Sequence, residues 1–362
     1  MASHFRELTI KDIRRETSDC VSVAFDIPTE WKPEFQFTQG QNITIRTTLN
    51  GEVLRRSYSI CSSPLDDELR IAVKQIPNGK YSTLANQSLK KGDRIEVLAP
   101  TGKFFTDLSH QHKKNYLAFA AGSGITPILS IVKTTLANEP QSHFTLVYGN
   151  RERQSIIFRE DLEALKNKYM ERFSLHHVLS RETVEAPIYQ GRIDAEKCRI
   201  FVERILQPKQ IDEVFICGPE SMIFSLKDEL ERLDIAREKI HFELFTVPGQ
   251  KISQSTQESE PTQLRPSEAM STVNIKVDGI SFEFELAYDG ASVLDAALYE
   301  GADLPFACKG GVCASCRAKL TEGKVEMDQN YALEAVELEA GFILTCQSHP
   351  RSAKLMIDFD SK

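Results

Sequence analysis

Four cysteines carry the clearest chemistry in the sequence. Four residues separate Cys308 from Cys313, two separate Cys313 from Cys316, and 29 separate Cys316 from Cys346. Thiolates in this spacing can hold two irons bridged by sulfide, the plant-type [2Fe–2S] arrangement. The intervening Lys309-Gly310-Gly311-Val312 suits a cluster, because glycines let backbone N–H groups turn inward toward negatively charged sulfides. Structural zinc usually takes cysteines in two close pairs, and here the fourth stands alone. Unliganded buried thiols are the remaining alternative. Cys20, Cys61 and Cys198, which fall in strand or helix patterns, read as small core residues of that kind.

Two other segments set reactive residue types where a strand gives way to a helix. Gly122-Ser123-Gly124-Ile125-Thr126-Pro127 follows an apolar run, a setting in which backbone N–H groups suit a dinucleotide pyrophosphate. The third glycine of G-x-G-x-x-G is missing, so the pattern alone is weak. Cys217-Gly218-Pro219-Glu220-Ser221-Met222 ends a later strand. A nucleophilic cysteine at a helix N-terminus is one reading of it, but no His or other obvious base accompanies the thiol.

The elements that must position these residues come in three rhythms. The first hundred residues alternate in short runs, among them Cys20 to Phe25, Asn42 to Thr47, Leu69 to Lys74 and Arg94 to Leu98. Asn50-Gly51 marks a tight hairpin and Tyr81 to Leu89 a single helix, so an antiparallel barrel is expected. From Asn115 apolar strands alternate with amphipathic helices that start near Pro127, Phe158, Asp194 and Pro219, the pattern of a parallel sheet covered on both faces. Ligands of such sheets sit at the carboxyl ends of the strands. Residues 249–272 are rich in Gln, Ser, Glu, Thr and Pro and read as a flexible linker. Two strands follow, Val273 to Val277 and Ser281 to Leu286, then a helix capped by Ser292 with Asp295 in its first turn, and a long cysteine-bearing loop.

The chain has 362 residues, more than one hydrophobic core usually organises, so two or three domains are expected. Its net charge of −8 and the lack of a basic stripe argue against nucleic acid. No apolar stretch is long enough for a membrane helix and no secretion signal is readable, so a cytoplasmic protein without a membrane partner is expected. From Val273 onward 8 Lys and Arg face 15 Asp and Glu, which makes the C-terminal part an acidic module.

The run Leu304-Pro305-Phe306-Ala307-Cys308-Lys309-Gly310-Gly311-Val312-Cys313-Ala314-Ser315-Cys316 resembles a plant-type ferredoxin, here behind segments similar to the ferredoxin-NADP reductase superfamily. Arg56-Ser57-Tyr58-Ser59 resembles that superfamily's R-x-Y-S flavin motif. The resemblance implies a charge-assisted fork from Arg56 to the flavin pyrophosphate, Tyr58 against the isoalloxazine face, and Ser59 near flavin N5, where hydride arrives. Gly79-Lys80-Tyr81-Ser82 is similar to the second flavin element, a G-x-x-S turn opening a helix, with a ligand-free helix cap as the plain alternative. Val73-Lys74 lies where family backbones follow the ribityl chain, though Lys74 reads equally as a solvated strand residue.

Gly122, Gly124, Thr126 and Pro127 match the superfamily's G-x-G-[IV]-[AT]-P, and Cys217-Gly218-Pro219 its C-G-P element beside the nicotinamide. Asn150 and Arg151, with Ser180 and Arg181, end the strands where family members contact adenosine. A Ser-Arg pair there can bind a ribose 2′-phosphate, whereas NADH-specific relatives tend to carry an acidic residue, so NADPH is favoured over NADH. His241-Phe242-Glu243-Leu244-Phe245 looks like the closing strand of the plant reductases, with Glu243 at their carboxylate and Phe245 at their flavin-covering aromatic. Phe replaces their Tyr and the chain continues past it; Phe245 reads nearly as well as core filler. The catalytic set implied is Tyr58, Ser59, Cys217, Glu243 and Phe245.

The whole is expected to be multidomain. An antiparallel β-barrel FAD domain spans 1–109, an α/β parallel-sheet nicotinamide domain 110–248, and an α+β β-grasp ferredoxin domain 273–362. A nicotinamide gives up two electrons together and a [2Fe–2S] cluster accepts one at a time, so FAD between them acts as the splitter. FAD rather than FMN rests on the resemblance. No pocket for an organic substrate is readable, and the chain looks like the reductase component of a multicomponent oxygenase. The resemblance implies as partner a multisubunit di-iron oxygenase acting on an aromatic CoA thioester. A Rieske-type aromatic or steroid oxygenase is the alternative, and a flavin/iron–sulfur redox sensor or a peroxide-forming flavin oxidase are readings of other classes.

Overall fold

The structure of the protein, a computed structural model, describes residues 4–245 and 269–361. It divides into two compact units, one built from Glu7–Leu54 and Tyr58–Phe245, the other carrying the C-terminal strands. Most of the segment read as a linker lies outside the described residues.

The larger unit opens with β1 (Arg6–Thr17), β2 (Cys20–Asp26), β3 (Asn42–Leu49), β4 (Glu52–Ser59), β5 (Leu69–Lys74) and β6 (Arg94–Thr101), with helix α1 (Lys80–Gln87) between the last two. They form one sheet in the order β4-β3-β6-β1-β2-β5, and the pairs β1–β2, β2–β5 and β3–β6 run antiparallel. Asn50 and Gly51 both have positive φ, +52° and +80°, as a tight hairpin turn requires. Ile60, just past β4, bridges to Ile71 of β5. Val21, Val23 and Phe25 of β2 enter one core with Leu8, Ile10, Ile43 and Ile71, while Cys20 on the opposite face packs in a second core with Ile128 and Ile131. Two buried faces explain why β2 is buried at every residue from Cys20 to Phe25 rather than at alternate ones.

Polar chemistry inside this region is fully paired at Arg70. Its guanidinium, almost wholly buried, donates to Ser22 Oγ (2.9 Å), Asp12 Oδ2 (2.5 Å) and both oxygens of Glu68 (2.8 and 2.9 Å). It holds the Asp12 and Glu68 carboxyls below their ordinary range.

The second sheet alternates β7 (Asn115–Ala121), α2 (Ile125–Asn138), β8 (His143–Asn150), α3 (Arg159–Lys168), β9 (Phe173–Leu179), α4 (Ala195–Phe201), β10 (Glu213–Gly218), α5 (Glu220–Arg232) and β11 (Ile240–Leu244). All its pairs are parallel, in the order β11-β10-β7-β8-β9. The order reverses between β7 and β10, and such a switch point opens a crevice beyond the strand ends. The helices begin close to where the sequence placed them; α2 starts two residues before Pro127, which occupies its first turn at no cost because the missing N–H would be unpaired there.

The C-terminal sheet contains β12 (Met270–Val277), β13 (Ile280–Ala287), α6 (Val293–Tyr299), β14 (Arg317–Glu322), β15 (Val325–Met327), α7 (Ala335–Glu339), β16 (Phe342–Leu344), β17 (Ser348–Pro350) and β18 (Lys354–Asp358). Five strands run in the order β13-β12-β18-β14-β16, with β12 and β18 parallel, and β15 pairs with β17. Strand β12 starts three residues before Val273, because Met270, Ser271 and Thr272 already pair with Ala287, Leu286 and Glu285. Ser292 caps α6, accepting from Asp295 N at 3.2 Å. Leu294 and Ala297 of α6 bury against Val273, Ile275 and Leu355.

Replacing Arg70 with Leu should cost about 3 kcal/mol, since two partly buried carboxylates lose their counter-charge. The measurement is the urea midpoint at neutral pH. A carboxyl held low in the folded state stabilises it above the unfolded pKa, and that contribution fades as the pH falls through the folded value. The gap between wild type and variant should therefore close in acid.

Candidate functional site

At the switch point one row of residues runs across three parallel strands. Cys217 of β10 is paired with Ala120 of β7 on one side and Glu243 of β11 on the other. The turn after β7 passes very close: a Cβ on Gly124 would stand 2.1 Å from the carbonyl oxygen of Cys217. Gly122 begins this turn with φ +55°, and its carbonyl accepts from the Tyr148 hydroxyl at 2.9 Å. The residue spacing of Gly122-x-Gly124 thus answers two separate demands, a left-handed backbone and a close approach.

Ser59, the last residue of β4, donates from Oγ to Glu243 Oε2 at 2.8 Å. Burial pushes the Glu243 carboxyl up to about 7, against the opposing pull of the Ser59 hydroxyl. Cys217 has no solvent exposure, and burial beside Glu243 pushes its thiol well up. A thiol held protonated is a poor nucleophile, which weighs against the covalent-catalysis reading of Cys217. Phe245 stands just past β11, 41% exposed.

The other residues of the flavin motifs fall in two places. Tyr58 packs on Tyr81 with ring centroids 5.6 Å apart, and the buried Tyr81 hydroxyl has no hydrogen-bond partner among the described residues. Arg56 and Ser57 lie on β4, Arg56 donating to the Arg55 carbonyl at 2.7 Å. Gly79 caps α1 with its backbone alone, so no side chain competes for the helix N-terminus. Ser82 instead turns into the fold, accepting from Ile76 N at 3.3 Å, and Lys80 pairs with Glu52. Val73 is buried with its carbonyl taken by Asn86, and Lys74 pairs with Asp19 at 3.7 Å.

Along the same sheet edge, Ser180 N donates to Asn150 O (3.0 Å) and Arg181 N to Arg151 O (2.9 Å), so the ends of β8 and β9 stay joined past their last strand residues. Arg151 and Arg181 are exposed, while Asn150 is buried. Thr126 and Pro127 are buried in the first turn of α2, Thr126 Oγ1 donating to Ser123 O. Gly218 and Pro219 lead into α5.

In the C-terminal unit the four cysteines of the motif gather as two pairs. Cys308 and burial push the Cys313 thiol well up, and Cys346 and burial do the same to the Cys316 thiol. The neighbouring Cys313 side chain, with backbone N–H groups of Gly310, Val312 and Cys313, pulls the Cys308 thiol down. Lys309, Gly311 and Ala314 all have positive φ, at +53°, +74° and +55°, which turns the loop's N–H groups inward; Gly310 N lies 3.3 Å from Cys308 Sγ. Among the described residues no three His, Cys, Asp or Glu side chains converge as for a single metal ion. Four thiols gathered in two pairs, with backbone N–H donors turned toward Cys308, fit a two-iron cluster, which these cysteines would hold.

Three residues that sequence reasoning missed frame this loop. Arg317 Nε lies 3.0 Å from the buried Glu337, and its guanidinium sits 3.7 Å over the Phe342 ring. Gln347, next to Cys346, reaches the carbonyl of Lys309 at 2.9 Å. Only adjacency to a cysteine marked Arg317 and Gln347, and nothing marked Glu337.

Gly124→Ala tests the switch point. With a backbone carbonyl 2.1 Å from the new Cβ, the turn must move away from β10. The expected result is a KM for the nicotinamide nucleotide raised tenfold or more, about 1.4 kcal/mol of binding, with flavin content unchanged.

Comparison with known proteins matches residues 7–106 to the oxidoreductase FAD-binding domain, 119–228 to the oxidoreductase NAD-binding domain, and 275–351 to the 2Fe-2S iron-sulfur cluster binding domain. The chain is 42% identical to a subunit of the 1,2-phenylacetyl-CoA epoxidase of Escherichia coli K12, over 99% of this chain and 98% of that one. It is 33% identical to the ferredoxin reductase component of 3-ketosteroid-9-alpha-monooxygenase from Rhodococcus rhodochrous, over 97% and 96%. Phthalate dioxygenase reductase, a solved structure, superposes with a TM-score of 0.58 at 25% identity, covering 98% of both chains. The chain therefore belongs to the family of these reductases, NAD(P)H-dependent oxidoreductases that join an FAD-binding, an NAD-binding and a 2Fe–2S domain in one polypeptide.

Proposed function

We propose that this chain is the reductase component of a multicomponent oxygenase, taking electrons from NADPH and delivering them singly to a multisubunit di-iron enzyme that epoxidises phenylacetyl-CoA. The observation that carries the reading is the 42% identity, along essentially the whole length, to a component of that epoxidase. The 33% identity to a ketosteroid monooxygenase reductase keeps an oxygenase of that kind as the second reading of the acceptor.

Bound here, FAD would accept a hydride and the two-iron cluster would pass electrons on one at a time. The chain's own residues do the rest. Arg56 and the N-terminus of α1, from Gly79 to Ser82, would hold the flavin phosphates, with Tyr58 against the ring; Val73 and Lys74 remain minor contacts. Gly122, Gly124, Thr126 and Pro127 would receive the nicotinamide pyrophosphate, and Cys217-Gly218-Pro219 would floor the nicotinamide. The hydrogen-bonded Ser59 and Glu243, the latter titrating near 7, can hold or release a proton at the same place. Phe245, at the end of β11, would cover the ring. Cys308, Cys313, Cys316 and Cys346 would hold the irons.

NADPH rather than NADH is supported by the exposed guanidinium of Arg181 beside Ser180, a pair suited to a 2′-phosphate. The six-stranded sheet is taken as a closed barrel, supported by the Ile60–Ile71 bridge that links the two ends of its strand order. The domain limits stay at 1–109, 110–248 and 273–362, with 270–272 added to the last. All eight cysteines are free, as a reducing cytoplasm would keep them. Among the described residues no helix is long and apolar enough to cross a membrane.

Cys308→Ser should abolish NADPH-driven cytochrome c reduction while leaving single-turnover reduction of the flavin at the wild-type rate. A slow wild-type turnover with cytochrome c would favour a sensor, and an unaffected variant an oxidase. Arg181→Ala should raise the KM for NADPH about tenfold, the worth of one charge-assisted hydrogen bond, and leave that for NADH unchanged. Equal effects on both would refute the 2′-phosphate assignment.

A further inference from the structure

Gln347 is a polar side chain with almost no solvent exposure that no motif accounts for. One N–H of its Nε2 donates to the carbonyl of Lys309 (2.9 Å), and the other is shared between the carbonyl of Cys346 (3.0 Å) and Cys346 Sγ (3.7 Å). The backbone on either side is pinned as well. Gln347 N donates to Leu344 O and Gln347 O accepts from Asp328 N, both at 2.9 Å. Gly311 leaves the space the side chain crosses: a Cβ there would meet Gln347 Cγ at 3.2 Å and the Gln329 carbonyl at 2.8 Å. One amide therefore joins the loop that carries Cys308 to the turn that carries Cys346, residues that belong to different sulfur pairs.

We infer that Gln347 is a positioning residue for the iron–sulfur cluster, clasping its two halves together and raising its reduction potential through an N–H directed at the Cys346 sulfur. The inference rests on the assignment of the four cysteines to the cluster. Reduction adds negative charge that the ligand sulfurs share, so a donor at one of them favours the reduced form. Removing the amide also leaves the Lys309 carbonyl, in a loop already turned through positive φ, without its partner.

The test uses the intact holoprotein with Gln347→Met and Gln347→Leu, which keep the bulk and lose both N–H groups. The expected result is a cluster midpoint potential, read by EPR-monitored redox titration, shifted to more negative values. Visible bleaching by an anaerobic iron chelator should run several-fold faster, and flavin reduction by NADPH should be unaffected. An unchanged midpoint overturns the inference, whatever the bleaching rate. If neither variant retains iron, far-UV circular dichroism decides. A folded chain without iron supports the clasp, and loss of the C-terminal sheet makes Gln347 a folding element and overturns it. Wild-type protein without acid-labile sulfide would instead refute the cluster assignment, a failure distinct from that of the amide.

Discussion

The larger unit depends on the register of three parallel strands. Pairing Cys217 with Ala120 and Glu243 leaves no choice about which residues meet at the carboxyl edge. A shift of one residue in β10 would exchange the faces of Ile216 and Cys217 and take the Cys217 carbonyl away from Gly124. Because β7 and β10 flank the switch point, the turn after β7 lies against the strand end of β10, and a glycine is the residue that permits contact that close. Ser59 reaches Glu243 across 184 residues of sequence only because the strand ends of both sheets converge there.

Burial is handled differently in the two kinds of polar site. At Arg70 every buried charge has an opposite neighbour, and both carboxyls are held low. Among the described residues Glu243 has a single neutral hydroxyl partner and no counter-ion, so burial raises its carboxyl into the range where it can change charge near neutrality. The first arrangement fixes structure and the second leaves a proton free to move. In the cluster loop backbone N–H groups, aimed by three residues at positive φ, supply the positive ends that face the sulfurs.

Local signals made much of this legible. Asn50-Gly51, the Ser292 cap and the alternation of strand and helix from Asn115 depend on residues within a turn of one another, and the fold realises each of them. The spacing of Cys308, Cys313 and Cys316 was readable for the same reason, whereas Cys346 lies beyond 29 intervening residues. What stayed hidden depends on distant partners. Arg317 and Glu337 are ordinary charged residues until β14 and α7 are packed, and Gln347 looks like any glutamine until the Cys308 loop folds over it. Val73 and Lys74 show the converse: a family position can be recognised while the side chain at it is buried or paired elsewhere.

On the proposed assignment of the site residues, the strand order would also separate recognition from chemistry. Adjacent strands lie about 4.8 Å apart, so the three steps from β10 through β7 and β8 to β9 span about 14 Å along the carboxyl edge. At one end of that span Arg151 and Arg181 stand in solvent, where a charged phosphate can be captured and exchanged quickly. At the other, Cys217 and Ser59 are buried and Glu243 is half-buried beside them, where a hydrogen bond or a shifted carboxyl has a larger effect than in open solvent. A dinucleotide laid across the edge, as proposed, would place its two halves in these two environments. Discrimination between NADPH and NADH would then be settled some ~14 Å from the reacting ring, and changing it would leave the row of Ala120, Cys217 and Glu243 undisturbed.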